Sequence, residues 1–515
     1  MTRTDNVKNN LVFNMIKFAT QLLLQFVLRT ALIYIMGAEY LGLNGLFTNI
    51  FSFLNLAELG IGSSIVFSMY KPIAEGDTEK VKSLQNLYKK FYLMIALTVL
   101  SLGIIILPFI KFFIRGGVTV DINIYLLYLL YLINTLVGYF SAHKRSLLFA
   151  YQRNDIENKI KSLSIFAMTI LQIIVLFIFK NYYIYFVVNL IFTLLECLLI
   201  HKSANKLFPE INGKGGPLDP AVKSEITKNV AALSVQKVGN VIVYSTDNIL
   251  ISAILGAVVL GAYSNYYMIT SSLVSMFYLF INALTASVGN LIASTDKEYV
   301  YKKYKQIHFI FSLMAAFTTI CLVVLLQPFI RLWTGGGEYM LNYSTVILLC
   351  ISYYLMRMRN STLIFRDASG LYNHKKFMPV VEASVNLGVS LVLGIWIGIN
   401  GIIIGTIIST LVSPFWVEPL VLHKYYFNKS LKGYFKTYVI DSIITIIISI
   451  ICIFICSFIP DATILWLIVK FGVCMILTAT LLLLAYLPTR EFKSCVKWMK
   501  NILRGMKNKS KRNMK

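Results

Sequence analysis

Charged residues are scarce in this 515-residue chain, and acidic residues are the scarcest, with 23 Asp and Glu against 48 Lys and Arg. Only 14% of the residues are charged, whereas 57% are hydrophobic, and the mean hydropathy is +0.71. Such a composition excludes a chain of several soluble domains. The sequence also lacks any long polar stretch that would form a soluble domain between its hydrophobic runs.

Cysteine is present but lacks the patterns that carry chemistry. The seven cysteines show neither metal-ligand spacing nor a disulfide framework, so we expect them to pack inside the protein and to hold no metal. A cleavable signal peptide is not expected either, because the first apolar run is too long and no small-residue cleavage site follows it. The first hydrophobic run should therefore remain as a membrane span.

Hydrophobic runs of twenty or more residues recur along the chain, and each is long enough to cross the ~30 Å hydrocarbon layer as a helix. We predict an all-α polytopic membrane protein with about 14 transmembrane helices. The predicted spans are residues 10–36, 41–69, 88–114, 122–149, 160–180, 182–201, 230–255, 258–293, 307–334, 339–365, 377–398, 401–422, 437–459 and 462–487.

The chain also repeats itself at a distance of about 220 positions. The matching stretches are IMGAEYLGLN (35–44) with ILGAVVLGAY (254–263), LPFIKFFIRGG (107–117) with QPFIRLWTGGG (327–337), and LLIHK (198–202) with LVLHK (420–424). Six spans per repeat make the halves parallel, with a pseudo-twofold axis along the membrane normal. We predict two lobes at 1–205 and 230–425, a cytoplasmic linker at 206–229, two appended helices at 426–489 and a basic cytoplasmic tail at 490–515.

Positive charge falls almost entirely on one side of this map. Of the 48 Lys and Arg residues, 38 lie in loops and termini assigned to the cytoplasm and four lie on the opposite side. This bias predicts that both termini are cytoplasmic, and it explains the net charge of +25 without nucleic acid. The tail carries ten basic residues and one acidic residue, which suit a topology anchor or contact with anionic lipid headgroups.

The remaining basic residues fall inside predicted spans, where a charge costs at least ~2.5 to 3.5 kcal/mol and normally faces a partner or a hydrated cavity. They are Lys17, Arg29, Lys237, Arg357, Arg359 and Lys470. Arg357 and Arg359 lie about 200° apart around a helix, so both cannot face one cavity and one should reach the interface. Glu196 and Glu418 are explained by snorkelling or local ion pairs, and Glu382 has no visible partner in the sequence.

Three spans carry a polar stripe at helical spacing. The stripes are Lys17, Gln21, Gln25 and Arg29 on the first span; Asn44, Thr48, Ser52, Asn55 and Glu58 on the second; and Lys237, Asn240, Tyr244, Asp247 and Asn248 on the seventh. They predict a hydrated cavity between the halves, with Arg29 and Asp247 placed to pair across it. For the neutral residues, hydrogen bonds between packed helices are an equally good explanation.

The fourteen-helix plan, the segment LGLNGLFTNIFSFLNLAELGIGSSI (41–65) and the loop KPIAEGDTEKVKSL (71–84) resemble a known group. The chain resembles the Wzx-type polysaccharide flippases of the multidrug, oligosaccharidyl-lipid and polysaccharide exporter superfamily. The resemblance implies two six-helix lobes that open alternately to either side of the bacterial plasma membrane. It also implies the substrate, an undecaprenyl-diphosphate-linked oligosaccharide for capsule or other surface polysaccharide, and glycan polymerase and glycosyltransferases of the same pathway as partners.

The residues at membrane depth suit such a substrate, because cations replace part of the lost hydration of a diphosphate. We expect Lys17, Arg29, Lys237 and Arg357 to contact it, and Gln21, Gln25, Asn55 and Asn240 to bind sugar hydroxyls. Asp247 or Glu58 would bind a coupling ion, H⁺ or Na⁺, if transport is ion-driven. We expect a monomer in contact with membrane lipids, with no catalytic residues and no other cofactor.

Several other functions are to be weighed at this point. A lipid II flippase would use the same fold and a similar basic cavity, whereas a cation-coupled drug exporter should have an acidic, aromatic cavity. A membrane glycosyltransferase or glycan polymerase would need an acidic catalytic pair or a large external loop, and neither is evident. The sequence also leaves room for a scramblase or a non-transporting scaffold.

Overall fold

The structure is a computed structural model that describes residues 20–58, 61–213, 215–220, 223–224, 226–228, 245–371 and 377–497. Within these ranges every regular element is a helix and there is no strand, which confirms the predicted all-α class. Eleven of the described helices are long and apolar enough to cross a membrane. The chain is therefore a polytopic membrane protein, and the full count of 14 spans stays a prediction.

The chain forms two compact units, Met1–Ser264 and Asn265–Lys515. The helices that begin in the first unit are α1 (Thr20–Ile35), α2 (Ala38–Leu54), α3 (Ile61–Glu75), α4 (Thr78–Ile106), α5 (Ile124–Ala150), α6 (Asn154–Phe179), α7 (Tyr182–Leu207), α8 (Ser245–Leu255) and α9 (Ala257–Ser294). The helices of the second unit are α10 (Lys297–Thr334), α11 (Tyr343–Met358), α12 (Asn360–Ala368), α13 (Met378–Ile397), α14 (Ile399–Val412), α15 (Pro414–Val421), α16 (Lys432–Ser457) and α17 (Ile464–Tyr486). The predicted lobe and linker boundaries stay predictions.

The predicted second span, 41–69, is not one continuous helix. Helix α2 ends at Leu54, a single 3₁₀ turn covers Asn55–Glu58, and α3 begins at Ile61. Polar side chains at both ends of this turn are held by neighbouring helices: the Tyr139 hydroxyl of α5 donates to Asn55 Oδ1, and the Tyr92 hydroxyl of α4 donates to Glu58. The helix is thus interrupted at the turn in which Asn55 and Glu58 accept hydrogen bonds from neighbouring helices.

Helices α2 and α9 cross at direct backbone contact inside the first unit. A Cβ atom on Gly42 would overlap the carbonyl oxygen of Ala257, and a Cβ atom on Gly261 would overlap that of Ala38. The contact is reciprocal, since each glycine of one helix lies against the first residue of the other. Only glycine fits at either position, because any side chain would force the two backbones apart.

Helix α10 has buried residues along its whole length and packs against several helices of the second unit. Its residues Phe309, Ala316 and Ile320 pack with Cys452 on α16 and Cys474 on α17 in one buried cluster. The helices that the sequence suggested were appended, α16 and α17, are thus packed on the centre of this unit. The thiols that they contribute lie in its apolar core.

Candidate functional site

A cavity of about 370 Å³ lies inside the first unit, between helices α2, α5 and α7. This volume is in the range of ordinary small-molecule sites. Its lining contains amides, hydroxyls and aromatic rings but no charged residue: Asn44, Thr48, Phe51, Ser52, Asn55, Tyr131, Asn134, Thr135, Tyr185, Phe186 and Asn189. The site is therefore suited to an uncharged polar ligand.

Helix α2 provides the polar wall through the stripe predicted from its sequence. Asn44, Thr48, Ser52 and Asn55 recur at intervals of three or four and all line the cavity. The fifth member of the stripe, Glu58, does not line it, because the helix ends at Leu54. These residues line a cavity within the first unit. The predicted cavity between the halves stays a prediction.

Tyrosine and threonine hydroxyls fix the amides of the cavity. Tyr131 donates to Asn44 Oδ1 at 2.8 Å, Tyr139 donates to Asn55 Oδ1, and Thr193 donates to Asn189 Oδ1 at 3.3 Å. Each of these bonds occupies an amide oxygen, so the NH₂ group of the same side chain remains to donate to a ligand. The oxygen of the fourth amide, Asn134 Oδ1, is buried and has no hydrogen-bond partner in the described part of the chain.

Aromatic rings from the same three helices complete the lining of the cavity. The rings of Tyr131 and Phe186 lie 4.1 Å apart between centroids, and Phe51 stacks on Tyr131 at 6.3 Å with an interplanar angle of 8°. Tyr131 and Tyr185 are both buried. Such packing restricts the rings to one arrangement and gives the cavity a rigid apolar surface beside its amides.

Glu58 lies in the 3₁₀ turn after α2, next to Asn55 in the chain. It accepts a hydrogen bond from the Tyr92 hydroxyl, and the chain of hydroxyls continues through Tyr88 to Ser146. The ion-coupling role of Glu58 stays a prediction.

The predicted stripe of the first span is described only from residue 20 onward. Gln21 and Gln25 are exposed on α1, whereas Arg29 is partly buried and donates to Ser264 Oγ and to the carbonyl of Gly261 at 3.5 Å. Asp247 is partly buried on α8. The Arg29–Asp247 pair stays a prediction, and Lys17, Lys237 and Asn240 lie outside the described residues.

Arg357 is the most unusual charge of the second unit. It lies near the end of α11 with only 4% of its surface exposed. Its Nε and Nη1 groups have no hydrogen-bond partner among the described residues, and no carboxylate there forms an ion pair with it. The guanidinium lies 6.0 Å from the ring centre of Phe277 and 5.8 Å from that of Tyr353. Two rings stabilise the cation, but its donors remain unused.

The neighbouring Arg359 has carboxylate partners. Its Nε and Nη2 donate to Glu418 at 2.9 and 2.8 Å, and Glu382 lies 3.7 Å away. Arg366 adds a third hydrogen bond to Glu418, at 2.8 Å. The expectation that Arg357 or Arg359 reaches the interface is therefore wrong: both are largely buried, one among rings and the other among carboxylates.

The local ion pairs expected at Glu196 and Glu418 are present. Arg145 donates to Glu196 at 2.8 Å in the first unit, as Arg366 does to Glu418 in the second. These arginines, and Arg359 as the partner of Glu382, are not predicted from the sequence. The sequence contains one indication of these pairs, because the two halves repeat the separation between arginine and glutamate: 51 residues for Arg145 and Glu196, and 52 for Arg366 and Glu418.

The fold is shared with transporters of the MOP superfamily. The structure of a multidrug resistance MATE family transporter of this superfamily, in an inward-facing conformation, matches with a TM-score of 0.60 at 14% identity, over 80% of this chain and 98% of the other. The lipid II flippase MurJ, in an inward closed conformation, matches with a TM-score of 0.60 at 15% identity, over 92% of this chain and 99% of its own.

A third similar structure is a MOP superfamily transporter from Pyrococcus furiosus, described as having a binding pocket of reverse polarity. It matches with a TM-score of 0.53 at 15% identity, over 82% of this chain and 96% of the other. The sequence matches neither a protein-family model nor a curated protein. At these identities the likeness establishes the fold.

Proposed function

We propose that this protein is a flippase that carries an undecaprenyl-diphosphate-linked oligosaccharide across the bacterial plasma membrane by alternating access, for capsule or other surface polysaccharide. In this proposal the chain is built from two parallel six-helix repeats plus two C-terminal helices, and both termini are cytoplasmic. The reciprocal crossing of α2 and α9 supports the repeat, because Ala38 and Gly42 correspond to Ala257 and Gly261 at a single spacing.

The observation that carries the proposal is the guanidinium of Arg357. A buried charge at membrane depth is costly and marks a substrate or ion pathway unless a partner compensates it. Arg359 and Arg366 have such partners in Glu418, whereas Arg357 has two rings and unused donors. An arginine presents its N–H groups in a planar fork that matches phosphate oxygens. A diphosphate bound by Arg357 would therefore provide the missing acceptors.

The remaining predicted residues fit this assignment in separate roles. Lys17, Arg29 and Lys237 would contribute positive charge to the diphosphate path, and Gln21, Gln25, Asn55 and Asn240 would bind sugar hydroxyls. Glu58 or Asp247 would bind H⁺ or Na⁺ if a gradient drives the cycle. Membrane lipids would surround a monomer, and glycan polymerase and glycosyltransferases of the pathway would be its partners.

Lipid II transport is a second candidate, because the MurJ match extends over 92% of this chain. A lipid II flippase would also bind a lipid diphosphate, so Arg357 would have the same role. A drug exporter of the MATE type fits less well, since the described cavity has no carboxylate in its lining and the buried unpaired charge is positive.

The test is transport by purified protein in proteoliposomes that contain an undecaprenyl-diphosphate-linked oligosaccharide. A lectin that cannot cross the membrane reports how much sugar reaches the far leaflet. We expect Arg357→Gln to lower the rate at least tenfold and Arg331→Gln, at an exposed site on α10, to leave it unchanged. Wild-type transport by Arg357→Gln would contradict the assignment, and transport of lipid II alone would favour the second candidate.

A further inference from the structure

The lining of the cavity in the first unit does not suit a diphosphate. None of its eleven lining residues carries a charge, and the described lining offers an anion no lysine or arginine. A phosphate bound there would lose its hydration, and no opposite charge would compensate for that loss. If the proposed function holds, the cavity must therefore bind a different part of the substrate from the part assigned to Arg357.

The hydrogen-bonding groups of the cavity match hydroxyl groups. The NH₂ groups of Asn44, Asn55 and Asn189 are donors whose own oxygens already accept hydrogens from protein hydroxyls. Asn134 Oδ1 is a buried acceptor without a partner in the described chain. A sugar hydroxyl both donates and accepts, so one sugar ring could satisfy both kinds of group at once. A buried acceptor that is left without a donor otherwise destabilises the protein.

The aromatic rings of the lining match the other surface of a sugar ring. A pyranose has hydroxyls around its edge and C–H groups on its faces, and aromatic faces carry the negative part of the ring quadrupole. Phe51, Tyr131 and Phe186 form a packed group of rings beside the amides of α2. Amides and rings that line the same cavity suit a neutral, hydroxyl-rich ligand better than a purely apolar one.

We infer that this cavity is a saccharide subsite that binds one neutral sugar of the lipid-linked glycan. The inference rests on the proposed function, in which Arg357 binds the diphosphate, and it adds that the sugar is recognised by a separate neutral cavity in the first unit. A bare Na⁺ ion is the other small ligand to consider. It fits less well, because the lining has no carboxylate and three of the amide oxygens already accept hydrogen bonds.

Two kinds of water-soluble probe separate the inference from the function on which it rests. Methyl β-glucopyranoside, methyl β-galactopyranoside and methyl N-acetyl-β-glucosaminide carry sugar without phosphate, and inorganic pyrophosphate carries phosphate without sugar. Saturation-transfer NMR detects the glycosides on protein in nanodiscs, prepared with a sugar-free detergent. Displacement of a fluorescent polyprenyl diphosphate reports pyrophosphate binding.

The variants Asn134→Leu and Ser52→Leu remove a cavity acceptor and fill the cavity, respectively, and both keep Arg357. We expect each to reduce glycoside saturation transfer at least fivefold while pyrophosphate displacement stays within twofold of wild type. Asn290→Leu, an amide-to-leucine change at an exposed position of α9, is the matched control and should change neither. Arg357→Gln should show the reverse pattern. Using two cavity variants guards against one of them failing to fold.

Each outcome decides one of the two ideas. The saccharide subsite is overturned if no glycoside gives saturation transfer with wild-type protein, or if both folded cavity variants keep the full signal. It is also overturned if NaCl, but not KCl, abolishes the signal competitively, since the cavity would then be an ion site. In each of these cases, pyrophosphate displacement that depends on Arg357 would leave the proposed function standing.

Discussion

Replacement of Arg357 by methionine should abolish transport without weakening the fold. The substitution removes a guanidinium whose Nε and Nη1 have no hydrogen-bond partner in the described chain. Each unsatisfied buried donor costs about 1–3 kcal/mol. The substitution also removes the contacts of the guanidinium with the rings of Phe277 and Tyr353, at a cost of about 0.5–2 kcal/mol for each cation–π pair. The terms nearly cancel, so we expect a free energy of unfolding equal to wild type or about 1 kcal/mol higher.

Arg359→Met is the matched comparison, two positions along the chain. It removes the hydrogen bonds at 2.9 and 2.8 Å to Glu418, a carboxylate that is 1% exposed. Removing one partner of a buried ion pair costs about 3–5 kcal/mol. Thermal unfolding of both variants in nanodiscs, with transport measured on the same preparations, tests the contrast. If Arg357→Met lowers the unfolding temperature as much as Arg359→Met, Arg357 is a structural residue and the reasoning fails.

Three further predictions test the fold and the coupling. Gly42→Ala or Gly261→Ala should lower the free energy of unfolding by about 1–3 kcal/mol, because the added methyl group overpacks the crossing of α2 and α9. Gly45→Ala is the control: its Cβ would have its nearest neighbour at 3.7 Å, so it should be tolerated in the same unfolding assay. Glu418→Gln leaves Arg359 and Arg366 without their shared carboxylate, and correctly inserted protein should fall several-fold in membrane fractions. Glu58→Gln or Asp247→Asn should make flipping insensitive to an imposed H⁺ or Na⁺ gradient, and an unchanged gradient response in both would rule out these residues as the coupling site.

The stripe on α2 shows how much of the site the sequence contained. Its spacing of three and four places Asn44, Thr48, Ser52 and Asn55 on one helix face whatever lies opposite. The partners of that face come from α5 and α7, which are distant in sequence, so the spacing alone could not place the cavity inside one unit. Glu58 does not line the cavity; it follows the end of α2 at Leu54, in a turn whose Asn55 and Glu58 accept hydrogen bonds from tyrosines of two other helices.

Arg357, near the end of α11, and Arg359, just after it, show what the sequence could not predict. Helical geometry correctly places Arg357 and Arg359 on different sides of the helix. The further inference that one of them must therefore reach the interface did not follow. Instead α13 and α15 bring Glu382 and Glu418 to Arg359, so both arginines stay in the protein. A single sequence gives the direction of a side chain along its helix, whereas the groups that meet it depend on tertiary packing.

The two sites also occupy positions where the halves of the sequence differ. At the spacing that relates Arg145 to Arg366, Arg357 corresponds to Leu136, and Asn134 corresponds to Leu355. The structural ion pairs are thus present in both halves of the described chain, whereas Arg357 and Asn134 each correspond to a leucine in the other half. Groups that hold the fold together can be duplicated with it, but a substrate with one charged end and one neutral end needs different groups in each half. The divergence at these positions is therefore what a lipid diphosphate joined to a sugar would require.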